Sequence, residues 1–420
     1  MPTGTNTDFA FLQKILYDAD VDKNALVKDK KALSNTPHKK NFTSAKGYEI
    51  PAPYSTPQGA SAAVATAASN ASPSKGQSFT VPQTNYYAQL RLEGSLVKNA
   101  AEGNASSQFI DQVKYETEMV EDTIGWELER QFFGSNTGYR AQIGSVSIGA
   151  NTTVTLKKIS DAIFFRPNMV IVLAAVGGGA GGAIRSAGTT NKATVTAVNA
   201  KTGVLTFTGQ NFTTLFGTAV ADDYIYREGD AQNGGTAKVA AGLEDWNPSS
   251  DPSATLFFGV DRSLSPSDLA GVRYDGTTDQ MQTVFIRALA QYQTEIGRPI
   301  KKGVFYIHPL YGAAMRTAYE AKRIVEVELP TTYDLSVEAF KVDNIKFIEA
   351  PSCPYGVAKF VTDSAFIRAS CGDQPDWSSM GSSNFWLDPD TDTVKGMMAN
   401  YGNFCAWHVN ELMHVTLPAL

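Results

Sequence analysis

Cysteine is scarce: the 420 residues include only Cys353, Cys371 and Cys405. An odd number at gaps of 18 and 34 suits neither a disulfide framework nor a zinc site built from CxxC pairs. A reducing cytoplasm is the simplest home. Long apolar runs are also missing. The longest candidate is Met169 to Val176, well short of the 18 or so residues a membrane-spanning helix needs, so no membrane partner is expected. Basic excess is absent, with 36 Lys plus Arg against 42 Asp plus Glu, so no global field exists to hold nucleic acid by its phosphates. Charge of either sign is sparse at 19%, which suggests large surfaces covered by other protein. The first residues, MPTGTNTDFAFLQKIL, lack a basic stretch leading into an apolar one, so no secretory signal is expected.

What is present is ordinary globular material. Hydrophobic residues at 43% and a length that allows two to four domains leave room for a real core. Lys23 to Lys46 carries seven lysines and one acid, Asp29, with no helical or strand period, and reads as an extended arm. Gln58 to Ser78 draws 14 of its 21 residues from Ala, Ser and Gly, with Lys75 its lone charge, and cannot form a core of its own. Before it lies Tyr48 to Pro53, and after it Phe79 to Pro82 and the alternating NYYAQLRL, Asn85 to Leu92. The expectation is a long projecting hairpin with a flexible tip.

Ser107 is placed to cap a helix that ends at Gly134. Phe109, Val113, Val120, Ile124, Leu128 and Phe132 keep one stripe. Around it stand Asp111, Glu116, Glu118, Glu121, Asp122, Glu127 and Glu129, against Lys114 and Arg130 alone. The spacing predicts a long, one-sided, acidic rod. Arg140 to Asp230 changes character: Thr, Val, Ala and Gly dominate, and Ala162 to Ala221 contains no acid. Strands at Ala193 to Val198 and Val204 to Thr208 around NAKTG mark an inserted small β-domain. Beyond it, Thr277 to Ile296 reads as a helix with a Thr277 and Gln280 capping box and a Gly297 stop. The strand VFYI, a helix from Tyr311 to Glu326, strands near Ile345 to Glu349 and Ala358 to Val361, and a β-leaning C-terminus complete an α+β unit.

The motifs of chemistry fail on inspection. Gly177, Gly179 and Gly182 match GxGxxG after an apolar strand, but a β-patterned stretch follows where a dinucleotide site needs a helix, and the ribose-binding acid is missing. Asp388, Asp390 and Asp392 imitate a calcium loop, yet Thr393 and Ala399 stand where it needs Gly and Glu, so a turn is expected. His38, His308, His408 and His414 show no ligand spacing; His408 and His414 would share one face of a strand. There is no GxSxG elbow, SxxK or P-loop. No catalytic residue, cofactor or metal is expected, and the projecting arms argue for a building block.

The order of parts resembles the major capsid proteins of tailed bacteriophages, the Hong Kong ninety-seven fold. The likeness is carried by the basic arm, the Ala/Ser-tipped loop and the acidic helix ending ERQFFGSNTG, then by GLEDW, FFGVDRS, the helix closed by GRP, VFYIHPLYGAAM and GMMANYGNFCAWHV. It implies an arm at 1–44, an E-loop at 45–92, a spine helix and the start of a peripheral domain at 93–139, and the insertion at 140–230. A peripheral return at 231–260, an axial domain at 261–373 and C-terminal return strands at 374–420 would follow. It further implies self-assembly into hexamers and pentamers of an icosahedral head around double-stranded DNA held by non-specific contact, assembled in the host bacterial cytoplasm. A separate scaffolding protein, a portal and decoration proteins are the expected partners.

The residues singled out for assembly are Lys75, Glu116, Glu118, Glu121, Asp122, Glu127 and Glu129, with the acids facing inward to repel DNA. No Asn and Glu pair matches Lys75, so no covalent cross-link is expected. The competing readings are an encapsulin-type nanocompartment shell and, from another class, a β-rich binding or adhesion protein.

Overall fold

The computed structural model describes residues 30–42, 47–94, 112–146, 153–178, 183–186, 191–208, 212–217, 219–233, 235–299, 302–320, 341–342, 345–378, 385–388 and 390–420. The arm before Lys30, Ser107 and Phe109, Gly179 and Gly182, and the end of the expected helix at 321–326 lie outside them.

The body is organised by the strand Thr393–Ala406. On one side it pairs in unbroken antiparallel register with Thr84–Glu93, from Thr393 opposite Glu93 to Gly402 opposite Thr84. On the other it takes Phe385–Asp388, Asp376–Trp377 and Phe366–Ser370 in turn. His38–Lys39 of the arm adds a parallel strand outside Phe366–Ser370. The period-two pattern of Thr84–Glu93 does its work, since Leu90 and Leu92 are buried while Tyr87 and Gln89 face out.

This pairing corrects the hairpin. Its second arm is Lys75–Val81, which runs antiparallel to Tyr48–Ser55, and not the NYYAQLRL strand. Nor does the ribbon stand free at its base. Ile50, Ala52, Phe79 and Val81 sit in the body core, with the Phe79 ring 5.2 Å from Trp246 and the Thr80 N–H donating to the Phe258 carbonyl. Only the tip projects, and it holds a short helix, Val64–Ser69, with no buried residue.

A second six-stranded sheet has the order Val272–Asp275, Leu412–Thr416, Val357–Thr362, Gly303–Ile307, Ile345–Glu349, Lys341–Val342. Gly303–Ile307 is buried throughout, as its continuous apolar sequence requires of a central strand. Phe285 of the helix Val284–Ile296 packs edge-on against Phe305 and Phe347. The two sheets exchange strands relative to sequence order: Phe366–Ser370 joins the body, and the C-terminal Leu412–Thr416 joins this second sheet.

The expected capping box does not form. Thr277 donates its N–H to Asp275, and Gly276 is wedged between Val284 and Thr416, so the chain turns until Thr283 and the helix begins at Val284. Gly297 ends it at φ 67°, as the sequence indicates. His408 and His414 do not share a strand, because His408 precedes the 3-10 turn Val409–Glu411.

Among the described residues, seven strands between Ala141 and Arg227 pair only with one another. They enclose their own core of Ile143, Phe165, Ile171, Leu173, Leu205, Phe207, Phe212, Phe216 and Ile225. The first and last strands are neighbours, Tyr224 opposite Gln142, so this unit leaves and rejoins the body at one place.

Candidate functional site

The long helix Gln112–Phe133 meets the body at its C-terminal end, and there the motifs ERQFFGSNTG, GLEDW, FFGVDRS and GNFCAW come together. Phe132 lies within 6 Å of four rings: Phe133, Tyr306 of the second sheet, and Phe366 and Phe404 of the body sheet. Gly242 abuts the helix end so closely that a Cβ would collide with the carbonyls of Gln131, Phe132 and Gly134. Only glycine fits there. Asp245 accepts the Ser135 hydroxyl at 2.8 Å and the Asn136 N–H at 2.5 Å, closing the turn that follows the helix. Trp246 is fully buried, and its indole N–H donates to the Phe404 carbonyl. Arg262 donates to the Asp245 carbonyl and lies 4.1 Å over the Phe257 ring.

The helix is not a one-sided rod. Every residue from Ile124 to Phe133 is buried, so its C-terminal half packs on all sides while residues from Tyr115 to Thr123 are exposed or half-buried. A helix surrounded in this way must find partners for its charges, and it does so on separate faces.

One face holds the arm. Glu129 accepts the N–H groups of Ala32 and Leu33 and the Ser352 hydroxyl, and Asp122 pairs with Lys30 at 2.7 Å. The other face holds the root of the insertion. Glu127 accepts from Arg140 at 2.7 Å, Arg130 at 3.2 Å and Arg227 at 3.3 Å, and Arg140 also reaches Asp230 at 3.1 Å. Arg140 and Asp230, read in the sequence as the edges of the insertion, are themselves an ion pair across its base. Burial pushes the Glu127 carboxyl up, but Arg140, Arg130 and Arg227 together outweigh it and hold it below the usual range. Asp230 moves the other way, raised by burial and by Glu127 beside it.

Of the remaining sequence candidates, Glu121 is exposed and accepts the Trp377 indole N–H at 3.0 Å. Glu116 is half-buried and its pKa is raised by that burial, Glu118 is half-buried, and Lys75 is exposed at the start of its strand. The structure therefore brings Asp122, Glu127 and Glu129 onto one helix end but turns them to their own chain. It leaves Lys75 apart on the hairpin. Sequence reasoning missed the pairing of Glu127 with Arg227 and of Ser135 with Asp245, partners 100 and 110 residues apart in the chain.

Among the described residues no group of His, Cys, Asp and Glu is arranged to hold a metal. Asp388 pairs with Lys395 beside a turn. Gly177 and Gly178 serve close packing: a Cβ at the first would lie 2.8 Å from the Tyr224 ring, and one at the second would strike Thr137. His414 is buried against Lys359, 2.7 Å away, and burial first and then Lys359 hold its pKa down to about 2.

No family model and no curated protein matches the sequence. Solved structures do. A chain of the cyanophage A-1(L) capsid asymmetric unit superposes with a TM-score of 0.57 at 10% identity, over 99% of this chain and 100% of that one. The capsid of a native GTA particle gives 0.47 at 9% identity, over all of both chains. The SrpI encapsulin of Synechococcus elongatus PCC 7942 gives 0.45 at 8%, over 97% of this chain and 94% of that one. With the long helix, the hairpin and the two sheets in place, the chain has the Hong Kong ninety-seven fold.

Proposed function

We propose that this chain is the major capsid protein of a tailed bacteriophage and builds hexamers and pentamers of an icosahedral head around double-stranded DNA. The supporting observation is a fold shared from end to end with a phage capsid subunit. The hairpin tip adds to it. Its helix has six residues, too few to persist alone in water, and leaves Val64 87% exposed, as suits a surface that a neighbouring copy covers on assembly. Contacts of that kind join unlike patches and close into rings by rotation.

In this reading the chain acts as a structural subunit and not as an enzyme. Its partners are further copies of itself, a separate scaffolding protein, a portal and decoration proteins, and its place is the virion. In this reading Asp122, Glu127 and Glu129 of the long helix serve the subunit's own architecture, holding the arm and the root of the insertion.

Negative-stain electron microscopy of the purified protein, expressed with and without the scaffolding protein, tests this. Shells or capsomer-sized rings are expected. A homogeneous monomer or dimer under every condition would overturn the reading, and a small shell carrying enzyme cargo would move it to a nanocompartment.

A further inference from the structure

The second sheet ends on the strand Val272–Asp275, which among the described residues pairs only with Leu412–Thr416. The ladder is parallel and Gly276 donates its N–H to the Thr416 carbonyl, so Val272, Tyr274 and Gly276 bond inward. Arg273 and Asp275 therefore turn their N–H and C=O groups to the open side. Arg273, Tyr274 and Asp275 also line a cavity of about 530 Å³, with Asp251, Ser267 and Glu295 among its other walls. Asp251 holds Arg273 at 2.9 Å. Asp275 and Glu295 accept only neutral donors among the described residues, the Thr277 N–H for the first and the Ser267 hydroxyl and Gln291 amide for the second. A free strand edge invites any strand. Two carboxylates without a cation beside it favour a guest that brings one.

The hairpin offers such a guest. In Lys75–Val81, Thr80 donates its N–H away from the ribbon to the Phe258 carbonyl, so by alternation Ser78 and Gly76 also point outward. The opposite strand agrees, for it places Pro51 and Pro53, which have no N–H, across from Ser78 and Gly76. Gly76 and Ser78 are exposed, and so is Lys75 beside them, the lone charge between Gln58 and Ser78. Two outward residues and a lysine on the hairpin thus match two outward residues and two carboxylates on the sheet. Within one chain the ribbon and this edge do not pair.

We propose that the edge strand Val272–Asp275 receives the hairpin of a second copy, with Gly76 and Ser78 adding a strand beside Arg273 and Asp275 while Lys75 meets Glu295 and Asp275. The inference rests on the reading of this chain as a self-assembling subunit and names one contact of that assembly. The two patches are unlike, so each copy gives its hairpin to one neighbour and receives that of another.

The test is sedimentation of the full-length protein, reading the concentration at which half of the subunits are associated. Lys75→Glu and Glu295→Lys are each expected to raise it about tenfold, and the two together to return it close to the wild-type value. Ser78→Pro removes an outward N–H without touching the ribbon's own bonds and should raise it about three- to tenfold. All three positions are exposed, and an unchanged thermal melt checks that each variant folds. Wild-type association left unchanged by the three single variants would overturn the proposal while the capsid reading stands. So would charge variants that weaken association without rescue in the pair, or a Ser78→Pro variant that associates as the wild type does. Wild-type protein that never associates, with or without the scaffolding protein, would overturn the capsid reading itself and this contact with it.

Discussion

Glu127 is buried and Asp245 half-buried within the same junction, and the surroundings drive the two carboxylates in opposite directions. Glu127 has three guanidinium groups around it and stays ionised well below the ordinary range. Asp245 has an N–H and a hydroxyl as its hydrogen-bond partners, and burial, the largest influence, pushes it up to about 7. Desolvation raises both, so the arginines make the difference. The lesson is architectural. At the root of the insertion the charge is fixed and the geometry with it, whereas at the turn after the long helix the charge depends on pH.

The comparison breaks most visibly at Glu127. Glu127→Ala leaves Arg140 and Arg130 buried beside Asp230 alone, and the unfolding free energy in urea is expected to fall by about 3–5 kcal/mol at pH 7. A loss below about 1 kcal/mol would mean that the arginines reach water and that the contrast with Asp245 is unfounded.

The pH dependence sharpens it. Native Asp245 keeps its proton up to about pH 7, while in the unfolded chain it loses the proton near 3.8. The native state therefore binds more protons across that window. Stability from this group is greatest at the acid end and declines as pH rises from about 4 to about 7, by up to about 4 kcal/mol. Asp161, raised to about 6 by burial, tilts the lower part of the window the same way. The quantity to measure is thus wild type minus Asp245→Asn in urea unfolding at successive pH values. A flat difference would remove the distinction between the two carboxylates.

The smallest effect is expected where charge meets water. Lys157 and Asp222 in the insertion pair at 2.5 Å but are 50% and 68% exposed. Lys157→Ala should change stability by less than about 0.5 kcal/mol in a thermal melt, showing that burial and not pairing as such gives the Glu127 cluster its weight.

Local features of this fold were legible from sequence, and long-range partnerships were not. The insertion announced itself because a self-contained sheet changes composition from end to end. The Gly297 stop was readable because its requirement for a left-handed residue is local. The hairpin was misread because NYYAQLRL shows the alternation of a strand without naming its partner, which lies some 300 residues on. The capping box failed because Asp275 took the Thr277 N–H first. The acids were expected to face inward from a one-sided rod because nothing near Glu127 or Glu129 in the chain shows that Arg227 or the arm will arrive.

The pairing of Thr84–Glu93 with Thr393–Gly402 also sets a clock. At about 5–20 residues per second, the ribosome needs roughly 15 to 60 s to make the stretch between these strands. For that time the earlier strand has no edge to join. Among the described residues the insertion pairs only within itself and can fold while synthesis continues, whereas the body sheet must wait for Thr393–Ala406. The body sheet is thus the later of the two to close.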